Sequence, residues 1–240
     1  MTVKHIKMLA EGASKLGYHL TQHQISQFEA YYEMLIHWNE KMNLTAITEE
    51  KEVIIKHFLD SIAIHQVMPL THYHQVIDLG TGAGFPGIPL KIVYPHIKLT
   101  LADSLNKRIQ FLTAVVNALA LRDVQCMHGR AEDLGSSPLY REQYDVCVSR
   151  AVADLSILSE YCMPFVRMGG YFIPYKAKDS HEELEGSKRA IETLGGYQES
   201  VKSVQIPQSD IERIFVMIKK EGITPKKYPR KAGKPKKNPL

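Results

Sequence analysis

From Gln75 to Lys219 short apolar runs alternate with segments of helical periodicity, and that alternation leaves few folds open. Candidate strands are 76–79, 98–102, 124–128, 144–149 and 170–176, with helices expected near 86–93, 106–119, 154–166 and 182–194. Short runs that are apolar on both faces, each followed by a helix, read as a parallel sheet covered on both sides. After Gly195-Gly196 the pattern changes. The runs 200–205 and 212–219 follow one another with no helix between, which predicts an antiparallel hairpin at the sheet edge. The expected fold is therefore α/β, a doubly wound, seven-stranded, mostly parallel sheet of the Rossmann-like kind, its last strand inserted antiparallel.

The chain before Gln75 has few strand signals. Thr21-Gln-His-Gln24 resembles a capping box, and Ile25, Phe28, Tyr32, Leu35 and Met42 recur at threes and fours behind it. A second helix is expected after Thr48, with Glu49, Glu50 and Glu52 in its first turn and Val53, Ile54, His57, Phe58 and Ile64 on its apolar side. The chain divides on this reading into a helical extension, 1–70, an α/β domain, 71–224, and a basic tail, 225–240. The 44% hydrophobic content is ample for a core.

Ligands of open α/β sheets bind beyond the carboxyl ends of the strands. The first strand here ends in Asp78-Leu-Gly-Thr-Gly-Ala-Gly-Phe-Pro-Gly87, where Gly80, Gly82 and Gly84 permit positive φ and leave no Cβ beneath a ligand. The stretch Gly82–Gly87 formally satisfies a dinucleotide fingerprint. Two features oppose a pyrophosphate. Asp78 brings negative charge beside it, and Pro86 removes an N–H where phosphate oxygens would bind. Asp78 suits a cationic amino group instead. Asp103, 21 residues after Gly82 and followed by Ser104, is placed to accept hydrogen bonds from both hydroxyls of a ribose. S-adenosylmethionine carries an ammonium, a sulfonium, a ribose and an adenine, so it offers a partner to each carboxylate. The terminal hairpin favours the same donor, because class I methyltransferases have it and dinucleotide domains normally do not. Ala131 and Glu132, after the third strand, are placed to meet the adenine, with a helix cap the alternative for Glu132.

The formal charge of +4 conceals an asymmetry. Residues 225–240 hold seven Lys or Arg and no acid, leaving 23 basic against 26 acidic residues in the rest. Four prolines argue against a helix there, so the segment reads as an extended arm, suited either to a phosphate backbone or to solubility alone. No run reaches the roughly 18 apolar residues of a membrane span, and the N-terminus lacks a signal-peptide apolar region, so a cytoplasmic protein is expected. Cys126, Cys147 and Cys162 form no paired motif and the eleven histidines no cluster, so neither a disulfide framework nor a metal site is expected.

The end of the fourth strand, Val148-Ser-Arg-Ala151, tests the acceptor. It has neither the Asn/Asp-Pro-Pro-aromatic turn of exocyclic amine methylation nor a cysteine nucleophile placed for pyrimidine C5 chemistry. Guanine N7 attacks through an existing lone pair and needs no general base, only alignment. Arg150 suits the donor carboxylate, a phosphate or guanine O6, and Arg130 and Lys176 suit further phosphates, with surface ion pairing the alternative for all three.

Taken together, Trp38–Thr45, His57–Ser61, Asp78–Pro89, Asp103–Arg108, Arg130–Glu132 and Ser149–Ala151 resemble the bacterial glucose-inhibited division protein B family, RsmG, over the whole chain. That resemblance implies S-adenosylmethionine-dependent methylation of guanosine N7 in 16S ribosomal RNA, acting on the RNA or the small subunit. It implies donor contacts from Gly80, Phe85, Ala131, Glu132 and Arg150, and N-terminal helices that lie over the pocket mouth and help hold RNA. Helical geometry makes Trp38 an apolar anchor and His57 and Asp60 structural partners. A monomer is expected.

Overall fold

The computed structural model describes residues 1–150 and 153–240, with His181 described in its backbone only. Seven strands form one sheet: β1 (Gln75–Leu79), β2 (Lys98–Asp103), β3 (Val124–His128), β4 (Tyr144–Arg150), β5 (Val166–Ala177), β6 (Gly196–Gln205) and β7 (Glu212–Lys220). Their order is β3-β2-β1-β4-β5-β7-β6. The first five run parallel, and β7 lies antiparallel between β5 and β6, so the expected inserted hairpin is present. β1, β2 and β4 are buried along almost their whole length because helices cover both faces, whereas edge strand β3 is largely open.

Side chains alternate between two cores, as the two-residue strand period requires. Val76, Val146 and Val148 face one core, and Ile77, Leu79 and Cys147 face the other. The first core also takes in Leu9 of α1 (Val3–Lys15) and Phe28, Tyr31 and Leu35 of α2 (Gln22–Met42), so residues 1–70 share a hydrophobic core with the sheet. The Thr21/Gln24 capping box forms with both hydrogen bonds. The buried stripe of α2 passes through Tyr31 rather than Tyr32; both fit the helical spacing from Phe28 to Leu35, and Tyr31 is the one that packs on Phe58 and Phe85 and donates to the Ala83 carbonyl. Trp38 packs on Phe111 at 5.7 Å between ring centroids.

The helix after Thr48 is not uniform. It starts as α3 (Glu50–Val53), with Glu49 as N-cap, widens into a π-helical stretch at Ile54–Leu59, and resumes as α4 (Asp60–Ile62). Apolar periodicity predicted the helix but could not reveal the extra residue in its middle turn. Such π turns cluster at functional sites, where they re-aim side chains; this one holds His57.

The crossover helices are α5 (Gly87–Val93), α6 (Asn106–Ala118), the short α7 (Ala131–Leu134), α8 (Leu155–Cys162) and α9 (His181–Thr193). The C-terminal tail differs from the extended arm expected. A single helical turn, α10 (Lys234–Lys237), forms with Pro235 in its first turn, where the missing N–H breaks no helical hydrogen bond. Tyr228 is buried, and the Arg230 side chain donates to Glu160 of α8 from Nε at 2.9 Å and Nη2 at 2.5 Å. Arg141 donates to the Thr224 and Tyr228 carbonyls at 2.6 and 2.8 Å. Counting charges and prolines missed this because the partners, Glu160 and Arg141, are distant in sequence.

Candidate active site

The glycine turn after β1 is built around Asp78. Its Oδ2 accepts from Thr81 Oγ1 at 2.6 Å and from the Gly87 amide at 2.7 Å, joining the two ends of the turn. A Cβ on Gly87 would sit 2.8 Å from that same oxygen, so this glycine is there for close approach. Asp78 is fully buried, and among the described residues its Oδ1 has no protein partner. Burial pushes the carboxyl up to about 7, against the opposing effect of its hydrogen bonds to Thr81 and Gly87. Gly82 has φ +63 with no atom of the described residues within 4 Å of where a Cβ would point, so the turn is open above it.

Asp103 closes the turn from the next strand. Its Oδ2 accepts from the Gly82 amide at 2.9 Å and Arg108 Nη1 at 3.1 Å, and its Oδ1 from the Leu105 amide at 2.9 Å. Between the ends of β1, β2 and β3 lies a cavity of about 580 Å³, within the usual range for small-molecule sites. Of the residues expected from sequence, Gly80, Asp103, Ser104, Arg130, Ala131 and Glu132 line it together. Gly82, Gly84 and Asp78 form the turn beneath without lining it. Arg108, Leu158 and Tyr161 were missed. Arg108 follows Asp103 by five residues and carried a local signal; Leu158 and Tyr161 come from α8 and carried none.

Phe85 and Arg150 sit on the β4 side of β1, in a buried cluster distinct from the cavity lining. The Phe85 ring stacks on His57 at 4.4 Å and lies under the Arg150 guanidinium at 5.3 Å. Arg150 donates from Nη1 to Asp60 Oδ2 at 2.5 Å and to the Lys56 carbonyl at 3.0 Å, and its Nη2 is 3.2 Å from His57 Nδ1. The second Asp60 oxygen accepts from Arg213 Nε at 2.6 Å. His57 Nε2 reaches Thr45 Oγ1 at 3.0 Å. Burial foremost, then Arg150, holds His57 down at about 4, so its imidazole is neutral at physiological pH. The segments 38–45 and 57–61 thus meet at His57, and Thr45, His57, Asp60, Arg150 and Arg213 form one network, of which helical spacing had paired His57 and Asp60. Lys176 is elsewhere: it pairs with Glu183 and donates to the Ala153 carbonyl at 2.8 Å, which is the ion-pairing alternative. Ser149 Oγ donates to the Leu79 carbonyl at 2.7 Å, and Ala151 lies outside the described residues. Among the described residues no three His, Cys, Asp or Glu gather as a metal would require, and no helix is long and apolar enough to cross a membrane.

Residues 24–212 match the family model for rRNA small subunit methyltransferase G. The chain belongs to that family. It is 52% identical to the ribosomal RNA small subunit methyltransferase G of Alkaliphilus metalliredigens, over 97% of this chain and 98% of that protein. It is 53% identical to the protein of that name from Acetivibrio thermocellus, over 98% and 96%, and 50% identical to that of Bacillus licheniformis, over 98% and 99%. Solved structures agree on the fold alone. M. jannaschii TYW2 in complex with AdoMet has a TM-score of 0.51 at 12% identity, over 63% of this chain and 71% of that one. Methanococcus jannaschii fibrillarin, a pre-rRNA processing protein, has 0.50 at 18% identity, over 65% and 70%. The family's sheet is therefore the class I methyltransferase sheet expected from the strand pattern.

Proposed function

We propose that this chain is an S-adenosylmethionine-dependent methyltransferase that methylates N7 of a guanosine in 16S ribosomal RNA, by direct attack of N7 on the donor's methyl. The observation that carries the donor assignment is the pairing of a buried, unpartnered Asp78 Oδ1 with open space above Gly82 and a carboxylate, Asp103, at the cavity rim. These residues fit a ligand with one cationic end and one diol. When bound, the donor supplies an electrophilic methyl on sulfonium sulfur.

The chain's own residues then have distinct tasks. Asp103 accepts from the ribose hydroxyls, and Arg108, a third exposed at its side chain, is the partner able to turn aside to release an acceptor position. Ala131 permits close approach of the adenine and Glu132 reads its edge. Gly80 presents backbone, Asp78 turns its unpartnered Oδ1 to the ammonium, whose positive charge would favour the ionised carboxylate that burial alone disfavours, and Phe85 with Arg150 supplies a ring and a buried positive charge on the β4 side. Arg130, exposed at the cavity, suits a phosphate.

The acceptor assignment is supported by what stands at the end of β4. Ser149 is committed to Leu79, Arg150 to Asp60, and Cys147 is buried within the strand, so none of these three serves as a base or nucleophile. N7 has no proton to lose, so positioning suffices. On this reading the enzyme works as a monomer in the cytoplasm, on 16S RNA or the small subunit. The test is transfer of labelled methyl from S-adenosylmethionine to small subunits and to 16S RNA from a strain lacking this protein, followed by mapping. Label at one guanine N7 is expected. Label on another atom would overturn the N7 assignment, and no transfer to either substrate would overturn the RNA reading.

A further inference from the structure

The docked tail puts its positive charge in a defined place. Glu160 is completely buried on α8, and Arg230 meets it with two side-chain nitrogens and its own amide, at 2.8 Å. Tyr228 and Pro235 are buried, whereas Lys226, Lys227, Lys231, Lys234, Lys236 and Lys237 are all exposed. Among the described residues, the ion pairs include Arg230 but none of these six lysines. The tail also touches the cavity wall. The Gly233 amide lies 3.3 Å from Oε1 of Glu132, two residues beyond exposed Arg130, and Tyr161, beside Glu160 on α8, lines the same cavity.

We propose that the docked tail is a preformed phosphate-binding surface that seats the RNA backbone beside the cavity, with the Arg230–Glu160 pair as its anchor. This rests on the RNA methyltransferase reading and adds where the substrate's backbone lies and what holds that surface. An unanchored arm of this length would have to be ordered by the RNA, at the expense of affinity. Here folding has done that ordering, and one basic residue faces inward to a carboxylate while six face solvent. Phosphate contacts carry no sequence information, so the surface fixes register and leaves choice of the base to the cavity.

Two variants test the proposal against a 16S RNA transcript by salt-dependent binding, alongside binding of S-adenosylmethionine by calorimetry. Glu160→Gln makes the protein one charge more positive while loosening the anchor. Bulk electrostatics predicts tighter RNA binding, and the docked surface predicts binding about 5- to 10-fold weaker. The variant Lys231→Gln, Lys234→Gln, Lys236→Gln, Lys237→Gln alters exposed side chains only, so its fold is secure. It should bind RNA roughly 10- to 100-fold more weakly at 0.1 M salt, with a slope of log K against log salt shallower by about 3, and with unchanged donor affinity. Equal or tighter RNA binding by a folded Glu160→Gln protein would overturn the anchor. An unchanged slope in the lysine variant would overturn the surface altogether, even if Glu160→Gln unfolds. Failure of the wild-type protein to bind or methylate RNA, with the donor still bound, would instead remove the RNA reading on which the proposal rests.

Discussion

Asp78 should leave a signature in stability as pH changes. The folded protein holds this carboxyl at about 7, because burial outweighs its two hydrogen bonds, whereas in the unfolded chain it ionises near the ordinary value of about 4. Between those values the unfolded chain has released the proton and the folded chain retains it, so stability falls as pH rises through this window and levels off above it. The full effect is roughly 4 kcal/mol, of which about 2.5 kcal/mol falls between pH 5 and pH 8. His57 acts in the opposite sense. Held at about 4 in the fold, it adds stability that is present above the unfolded value of about 6.5 and is lost as pH falls toward 4. The wild-type curve alone would mix the two, and Asp78→Asn separates them. The amide oxygen of the substituted side chain can still accept from Thr81 and Gly87, while its nitrogen takes the unpartnered Oδ1 position, a penalty of about 1–3 kcal/mol that does not vary with pH. Urea unfolding of both proteins from pH 5 to pH 8 should show the variant gaining about 2.5 kcal/mol relative to wild type across the range. Parallel curves would refute the reasoning, since they would mean that the carboxyl is ionised in the fold throughout.

The glycines of the turn should differ in their tolerance of a side chain. Gly84→Ala places a Cβ 2.6 Å from Ile88 Cδ1 and 2.7 Å from the Tyr31 hydroxyl at φ +98, and should lose about 2–4 kcal/mol; Gly82→Ala, with φ +63 and open space, should lose about 1–2 kcal/mol. Denaturant midpoints of the two proteins decide this, and equal losses would contradict the packing around Gly84. Asp60→Ala leaves Arg150 and Arg213 without their shared carboxylate and should cost about 3–5 kcal/mol, measured the same way; a loss under about 1 kcal/mol would mean that the network contributes little to the fold.

The sheet was legible because its signal is local. Each buried strand had to be apolar along its length, and the hairpin betrayed itself by the missing helix between 205 and 212. The cavity lining was legible wherever a residue sits at a strand end, as Gly80, Asp103 and Glu132 do, since the fold dictates that such positions surround the ligand. Tyr161 was hidden because it reaches the cavity from a helix face. Lys176 left a phosphate contact and an ion pair both open, because its partner Glu183 lies on α9 and only the packing of that helix brings the two together.

The amino-acid order by itself determined the strand and helix pattern, the glycine turn that follows Asp78, the acid Asp103 at the end of the next strand, and a surplus of charge at the C-terminus, each of which depends on neighbours within a few residues. Tertiary structure decided what those groups touch. It withdrew Asp78 from the cavity surface, bound Arg150 to Asp60 across 90 residues of chain, and turned Arg230 inward to Glu160 across 70. The physical reason is common to all three. A buried charge takes its character from whatever opposite charge or hydrogen bond the fold brings within about 3 Å, and that partner's distance along the chain is unconstrained.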